Sequence, residues 1–269
     1  MRPVRLEQAN AEAWFGGKAV QLGTALRAGL PVPPGFALAV DLVDAFAAGD
    51  PAVVAVLERL HQHFGRPLAV RSSAVGEDSK TASFAGQHLS LLNVGSAPAL
   101  ADAVRRIWES GHSEAALAYR KRMGITGEPR VAVIVQQMIY PDCAGVLFTR
   151  DPLTGSDQRI IEASWGFGEA IVAGLVTPDR YRIARDGSVL DRVAGTKDVA
   201  LRAAAAGELE QAAIEPQRVH TLCLDDENLR ALHELASRCE AVFGGTQDLE
   251  WAFAARTLYL LQRRAITVA

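Results

Sequence analysis

The chain has 269 residues, enough for one large domain or two lobes, and 49% of them are hydrophobic, so a substantial core can form. The formal charge of −3, from 28 basic and 31 acidic residues, argues against nucleic-acid binding driven by bulk charge but leaves room for a local cationic cleft. Cys143, Cys223 and Cys239 form no CxxC pair, which argues against a zinc site or a disulfide framework, and no apolar run approaches the roughly 18 residues that span a bilayer.

Gly16-Gly17-Lys18 opens a helical pattern through Leu22, Ala25, Leu26 and Ala28, which Gly29 ends. Leu30 to Leu38, with three prolines, predicts a stiff turn leading into a strand. Asp41 is expected to cap a helix through Val43 and Phe46, and a second helix follows at about residues 52–64. Residues 68–73 read as a buried strand ending in polar groups, and residues 74–88 as a loop. A strand at 89–94 precedes a mostly helical stretch over 97–123, and Val131 to Met138 is an apolar strand that ends in amides. Further strands are predicted at 145–149, 159–164 and 181–183, and a helix at 226–243. Strands interleave with helices, so the class is α/β or α+β. A two-lobed body is expected, with lobes at 1–138 and 139–269 and a cleft near residues 136–139.

The last thirty residues carry the most chemistry. Asp248 and Glu250 are two apart on a predicted strand, so both carboxylates face one side, while Leu249, Trp251 and Phe253 supply apolar bulk on the other. Gln262 and Arg264 repeat that spacing on the next strand, and a turn at 254–257 would make a hairpin of the two. Two carboxylates beside an amide and a guanidinium suit a magnesium ion bridging phosphates. They also suit a solvated strand face with a surface ion pair.

Other segments are as open. Gly16-Gly17-Lys18 lacks the Walker A spacing, yet flexible backbone at a helix N-terminus can set Lys18 beside a phosphate; the alternative is a turn with a surface lysine. Arg71 ends an apolar strand, where α/β folds build sites, or it pairs with Glu77 or Asp78. Ser83 to Gln87, centred on Gly86, is a lid over a ligand or a plain loop. The histidines show no metal-ligand spacing.

In order along the chain come Gly16-Gly17-Lys18, Ala28 to Phe36, Val70-Arg71-Ser72-Ser73, Ser83-Phe84-Ala85-Gly86-Gln87, Phe148 to Pro152, Glu162 to Gly166, Thr177-Pro178-Asp179, Asp248-Leu249-Glu250-Trp251 and Leu261-Gln262-Arg263-Arg264. Together they resemble the N-terminal nucleotide-binding domain of phosphoenolpyruvate synthase, pyruvate phosphate dikinase and rifampin phosphotransferase. The resemblance implies a two-lobed ATP-grasp fold with MgATP in the cleft between the lobes. It implies that Lys18 and Arg71 contact phosphates, that Ser83, Gly86 and Gln87 cover them, and that Gln136, Gln137 and Met138 form a hinge strand meeting adenine. Asp248, Glu250 and Gln262 would hold the metal and phosphates, and Arg264 would stabilise the transferring phosphoryl group. Ala265 stands where the family commonly has proline.

Full-length relatives also carry a swivelling domain with a phosphorylatable histidine, and no segment here matches it; His112 lies in a helical stretch. The reading is therefore an ATP-dependent phosphotransferase acting directly on a small-molecule acceptor. The alternatives are half of a split dikinase that phosphorylates a histidine on a separate carrier protein, and a non-catalytic ATP-binding module. With no apolar signal core at Met1 to Leu6 and with reduced thiols, the expected location is the cytoplasm.

Overall fold

The computed structural model describes residues 2–75, 89–204 and 208–266. The class is mixed α/β, as the interleaved pattern predicts, and every strand pair among the described residues is antiparallel. The chain divides into two compact units. Met1–Arg27 and Pro33–Met138 form the bulk of one; Ala28–Val32, Ile139–Ala205 and Leu209–Ala269 form the other.

The first unit runs β1 (Val4–Arg5), α1 (Glu12–Arg27), β2 (Gly35–Leu38), α2 (Val40–Ala47), α3 (Pro51–Phe64), β3 (Leu68–Ala74), β4 (Ser90–Val94), α4 (Ala97–Gly111), α5 (Glu114–Arg122) and β5 (Val131–Gln137). Its sheet has the order β1-β2-β5-β3-β4. β3 and β5 are covered on both faces, which is why they read as near-continuous apolar runs. Leu68, Val70, Val131, Val133 and Val135 pack in one core with Val43, Phe46, Leu57, Val104 and Ile107 of α2, α3 and α4. The alternate residues, Arg71, Ser73, Ile134 and Gln136, face α1.

Helix boundaries follow local chemistry. Asp50 caps α3, accepting from Ala52 N at 2.9 Å, and Gly65 closes it in the left-handed region. Asp41 does not cap α2: the helix begins one residue earlier, with Ala39 in the cap position, and Asp41 lies in the first turn. The helical stretch 97–123 is two helices, because Ser113 leaves helical geometry and caps α5 through Ala116 N.

The second unit runs β6 (Cys143–Phe148), β7 (Arg159–Trp165), α6 (Glu169–Val172), β8 (Asp179–Ile183), β9 (Val189–Val193), β10 (Val199–Ala203), β11 (Leu209–Ala213), α7 (Asp226–Phe243), β12 (Gln247–Ala254) and β13 (Thr257–Ala265). Its main sheet has the order β13-β12-β6-β7-β8-β9, and β10 and β11 make a separate hairpin. A capping box between Asp225 and Asn228 starts α7. Arg159 ties β7 to that helix, donating to Ser237 Oγ at 2.7 Å and pairing with Glu240 at 3.4 Å. Asp179 and Lys197 form a fully buried ion pair, and the Asp179 carboxylate also accepts from Gly195 N and Cys223 N, each at 2.8 Å. These backbone donors satisfy the oxygens that burial strips of water, the condition for a buried charge pair to persist.

Gly16 marks the tightest approach in the first unit. It has φ 72° inside α1, and a Cβ there would lie 1.9 Å from the Ser73 carbonyl oxygen. Gly16→Ala is expected to destabilise the protein by more than the roughly 1–3 kcal/mol of left-handed strain alone, read as a lowered midpoint in denaturant unfolding; a midpoint within error of the parent would contradict this packing.

Candidate functional site

Lys18 owes its place to Gly16. The non-helical Gly16 breaks α1, so regular helix resumes at Gly17 with Lys18 in its first turn. Ser73, at the end of β3, locks that turn: its hydroxyl donates to Phe15 O at 2.7 Å and accepts from Ala19 N at 3.0 Å. Lys18 is only 2% exposed and Arg71 7%. Arg71 lies two residues before Ser73 on the same strand and opposite Ile134, so it faces α1 as Lys18's helix does. The first unit thus buries two cations: Lys18 in the first turn of the resumed helix, where the backbone N–H groups add positive potential, and Arg71 on the sheet face that α1 covers.

The amide pair that ends β5 is anchored to the Pro-rich turn. Gln136 is buried, and its Nε2 donates to Pro33 O at 2.9 Å, so this side chain fastens the Pro-rich turn. Gln137 N donates to Pro34 O at 3.0 Å, and Met138, also buried, donates its N–H to Pro67 O at 3.2 Å. Ser83, Gly86 and Gln87 lie outside the described residues.

In the second unit, β12 and β13 form the hairpin read from the sequence. Asp248 is opposite Arg264 and Glu250 opposite Gln262, so all four side chains share one face. The apolar face carries Leu249 and Trp251, both fully buried. A bulge separates the two ends of the hairpin: Glu250 pairs with Gln262, but Trp251 pairs with Leu260, leaving Leu261 without a partner opposite. With the Gln262 amide assigned so that its oxygen, not its nitrogen, faces the guanidinium donors, that oxygen accepts from Arg264 Nε at 2.8 Å and Nη2 at 2.6 Å. That bidentate contact holds the guanidinium plane.

Asp248 Oδ1 is buried and accepts no hydrogen bond. Burial, reinforced by Glu250, pushes the Asp248 carboxyl up to about 6 despite the opposing pull of Arg264. Among the described residues no group of three or more His, Cys, Asp and Glu side chains is placed to hold a metal. The donor set on the hairpin is two carboxylates, one with an unsatisfied oxygen. That set fits a hard divalent cation whose remaining ligands are phosphate oxygens or water.

Residues 48–269 match the family described as pyruvate phosphate dikinase, AMP/ATP-binding domain. The chain belongs to that family. It is 33% identical to a probable phosphoenolpyruvate synthase of Methanothermobacter thermautotrophicus, over 94% of this chain and 44% of that one. It is 36% identical to a rifampicin phosphotransferase of Streptomyces sviceus, over 95% of this chain and 34% of that one. A rifampicin phosphotransferase of a Streptomyces species is 40% identical over 84% of this chain and 26% of its own length. The chain therefore spans less than half the length of these relatives. The matched family region holds Arg71 and the whole β12–β13 hairpin, while Lys18 precedes it.

Sequence reasoning overlooked Ser73 and the Gln262–Arg264 contact. Ser73 had a signal, being a small hydroxyl at the i+2 position from Arg71 on one strand face. The other had the two-residue spacing that puts both side chains on one face, but the side-chain torsions that join them leave no mark in the sequence.

The raised Asp248 carboxyl has a signed consequence. Its folded pKa lies above the ordinary value near 3.9, so the folded state holds the proton more tightly and stability falls as pH rises from about 4 to about 6. Asp248→Asn is expected to stabilise the protein at pH 7 by no more than about 3 kcal/mol, a gain that fades toward pH 4. Denaturant unfolding across pH 4–8 measures this; a gain that is constant with pH would mean the carboxyl is unperturbed.

Proposed function

We propose that this chain binds MgATP and transfers a phosphoryl group directly to a small-molecule acceptor, within an ATP-grasp fold whose two lobes are the two units. The observation that carries the reading is the hairpin register, which sets Asp248, Glu250, Gln262 and Arg264 on one face. Membership of a family described by its AMP/ATP-binding domain supports the nucleotide.

The roles follow from charge. Phosphoryl transfer needs positioning and neutralisation of spread negative charge more than covalent participation by the protein. Lys18 and Arg71 neutralise phosphate oxygens. Asp248, Glu250 and Gln262 would hold the cation, and bound Mg²⁺ would supply charge that screens the phosphates. Arg264 stabilises the transferring group, and Gln262 keeps the Arg264 guanidinium in plane. Ser83, Gly86 and Gln87 remain the proposed cover over the phosphates.

A second reading has its own support. In it, the chain is the nucleotide-binding half of a split dikinase that phosphorylates a histidine on a separate carrier protein; the chain's span of only 44% and 34% of two relatives leaves room for such a partner. Neither reading involves nucleic acid or membrane: the charge is close to neutral, and among the described residues no helix is long and apolar enough to cross a bilayer. The proposed setting is the cytoplasm.

Arg71→Ala, Glu250→Ala and Arg264→Ala are each expected to lower turnover at least about a hundredfold. Intact turnover in all three would remove the site assignment. The nucleotide product separates the two readings. With MgATP and the small-molecule fraction of a cell extract, ADP formation supports a direct kinase and AMP supports dikinase chemistry. Turnover that requires the protein fraction supports a separate carrier.

A further inference from the structure

The strand register places a second chemical feature at the end of β12 opposite to Asp248. Asp248 lies opposite Phe148 at one end of β6, and Phe253 lies opposite Cys143 at the other. Five residues of extended strand separate those ends by about 17 Å. At the Cys143 end, a cavity of about 430 Å³ opens between the segment entering β6, the segment leaving β7 and strand β10.

Its walls are aromatic and its charges are basic. Trp165 and Phe167 line it, and Tyr140, 48% exposed, stands at its rim. The Arg218 guanidinium lies 4.2 Å over the Trp165 ring, while Trp165 Nε1 donates to Arg218 O at 3.2 Å. The indole and the arginine therefore hold each other in place. Arg202 lines the cavity from β10. Among the described residues neither Arg202 nor Arg218 forms an ion pair with a carboxylate. The lining carboxylate, Asp142, is engaged by Ala255 N at 2.8 Å.

The geometry points to a second ligand site, for a small planar aromatic anion that stacks on the Trp165 and Phe167 side and meets Arg202 and Arg218 with its charge. The volume falls in the range of small-molecule sites. Stacking surface and guanidinium donors are the two features such an anion needs, because the ring takes the aromatic wall while the carboxylate or phosphate takes the charge. A neutral ring would leave both guanidinium groups unmatched.

The test uses the full chain and 2-naphthoate, with 2-naphthalenemethanol as its neutral isostere, in calorimetric titrations. We expect one-to-one binding of 2-naphthoate, at least tenfold tighter than the alcohol, and undiminished by a saturating non-hydrolysable ATP analogue. Arg218→Ala and Tyr140→Ala should each weaken it at least tenfold. Because Arg218→Ala removes a stacked pair, circular dichroism checks its fold; if it is unfolded, Tyr140→Ala and Arg202→Gln, both at exposed positions, decide. Absence of binding, equal affinity for the alcohol, displacement by the ATP analogue, or indifference to the substitutions would each overturn the site.

Discussion

Side chains on a strand alternate with a period of two, and the hairpin β12–β13 must satisfy that rule while turning one face to the core and the other to chemistry. On β12 the alternation is regular: Asp248 and Glu250 face one way, Leu249 and Trp251 the other. On β13 it cannot be, because Leu260, Gln262 and Arg264 share parity, and Leu260 is fully buried opposite Trp251. The bulge at Leu261 resolves the conflict by inverting the facing of the strand midway. Without it, either Leu260 would be driven into the polar face or Gln262 and Arg264 into the core. What this one irregularity decides is that Gln262 and Arg264 share the face of Asp248 and Glu250 while Leu260 stays in the core.

The first unit solves a different problem, which is how to bury cations. Lys18 is buried in α1, and Arg71 sits on the face of the sheet that α1 covers. The cost of removing such groups from water is large unless other charges or dipoles meet them. The close packing of Gly16 against Ser73, and the hydroxyl that spans the broken turn, show that this corner is built to hold backbone in place.

Burial of charge elsewhere serves structure. The Asp179–Lys197 pair has its carboxylate saturated by backbone N–H groups, in contrast to Asp248 Oδ1, which accepts nothing. The difference is one of satisfied against unsatisfied buried oxygens. Lys197 was invisible to sequence reasoning, since a lone lysine in a polar stretch reads as solvated.

Much of the fold was legible in the chain itself. The apolar runs of β3 and β5, the periodicity of α7 and the alternation in β12 identified interleaved strands and helices, because burial imposes period on composition. The two-residue spacing of Asp248 and Glu250, and of Gln262 and Arg264, was enough to group them, since that spacing is the strand repeat. The short β10–β11 hairpin was not legible, its residues being small and weakly patterned. Asp41 was misread as a cap for the same kind of reason: an acidic residue in a first turn and one at a cap look alike without backbone angles. Local order and the side-chain pattern of each element were thus determined by the sequence alone. Only the tertiary structure decided that Gln136 would bind Pro33, that Ser73 would close the turn before Lys18, and that a bulge at Leu261 would set Leu260 against Trp251 with Gln262 still opposite Glu250. Each of these joins residues whose proximity depends on register and packing, and neither leaves a mark in the spacing of residues along the chain.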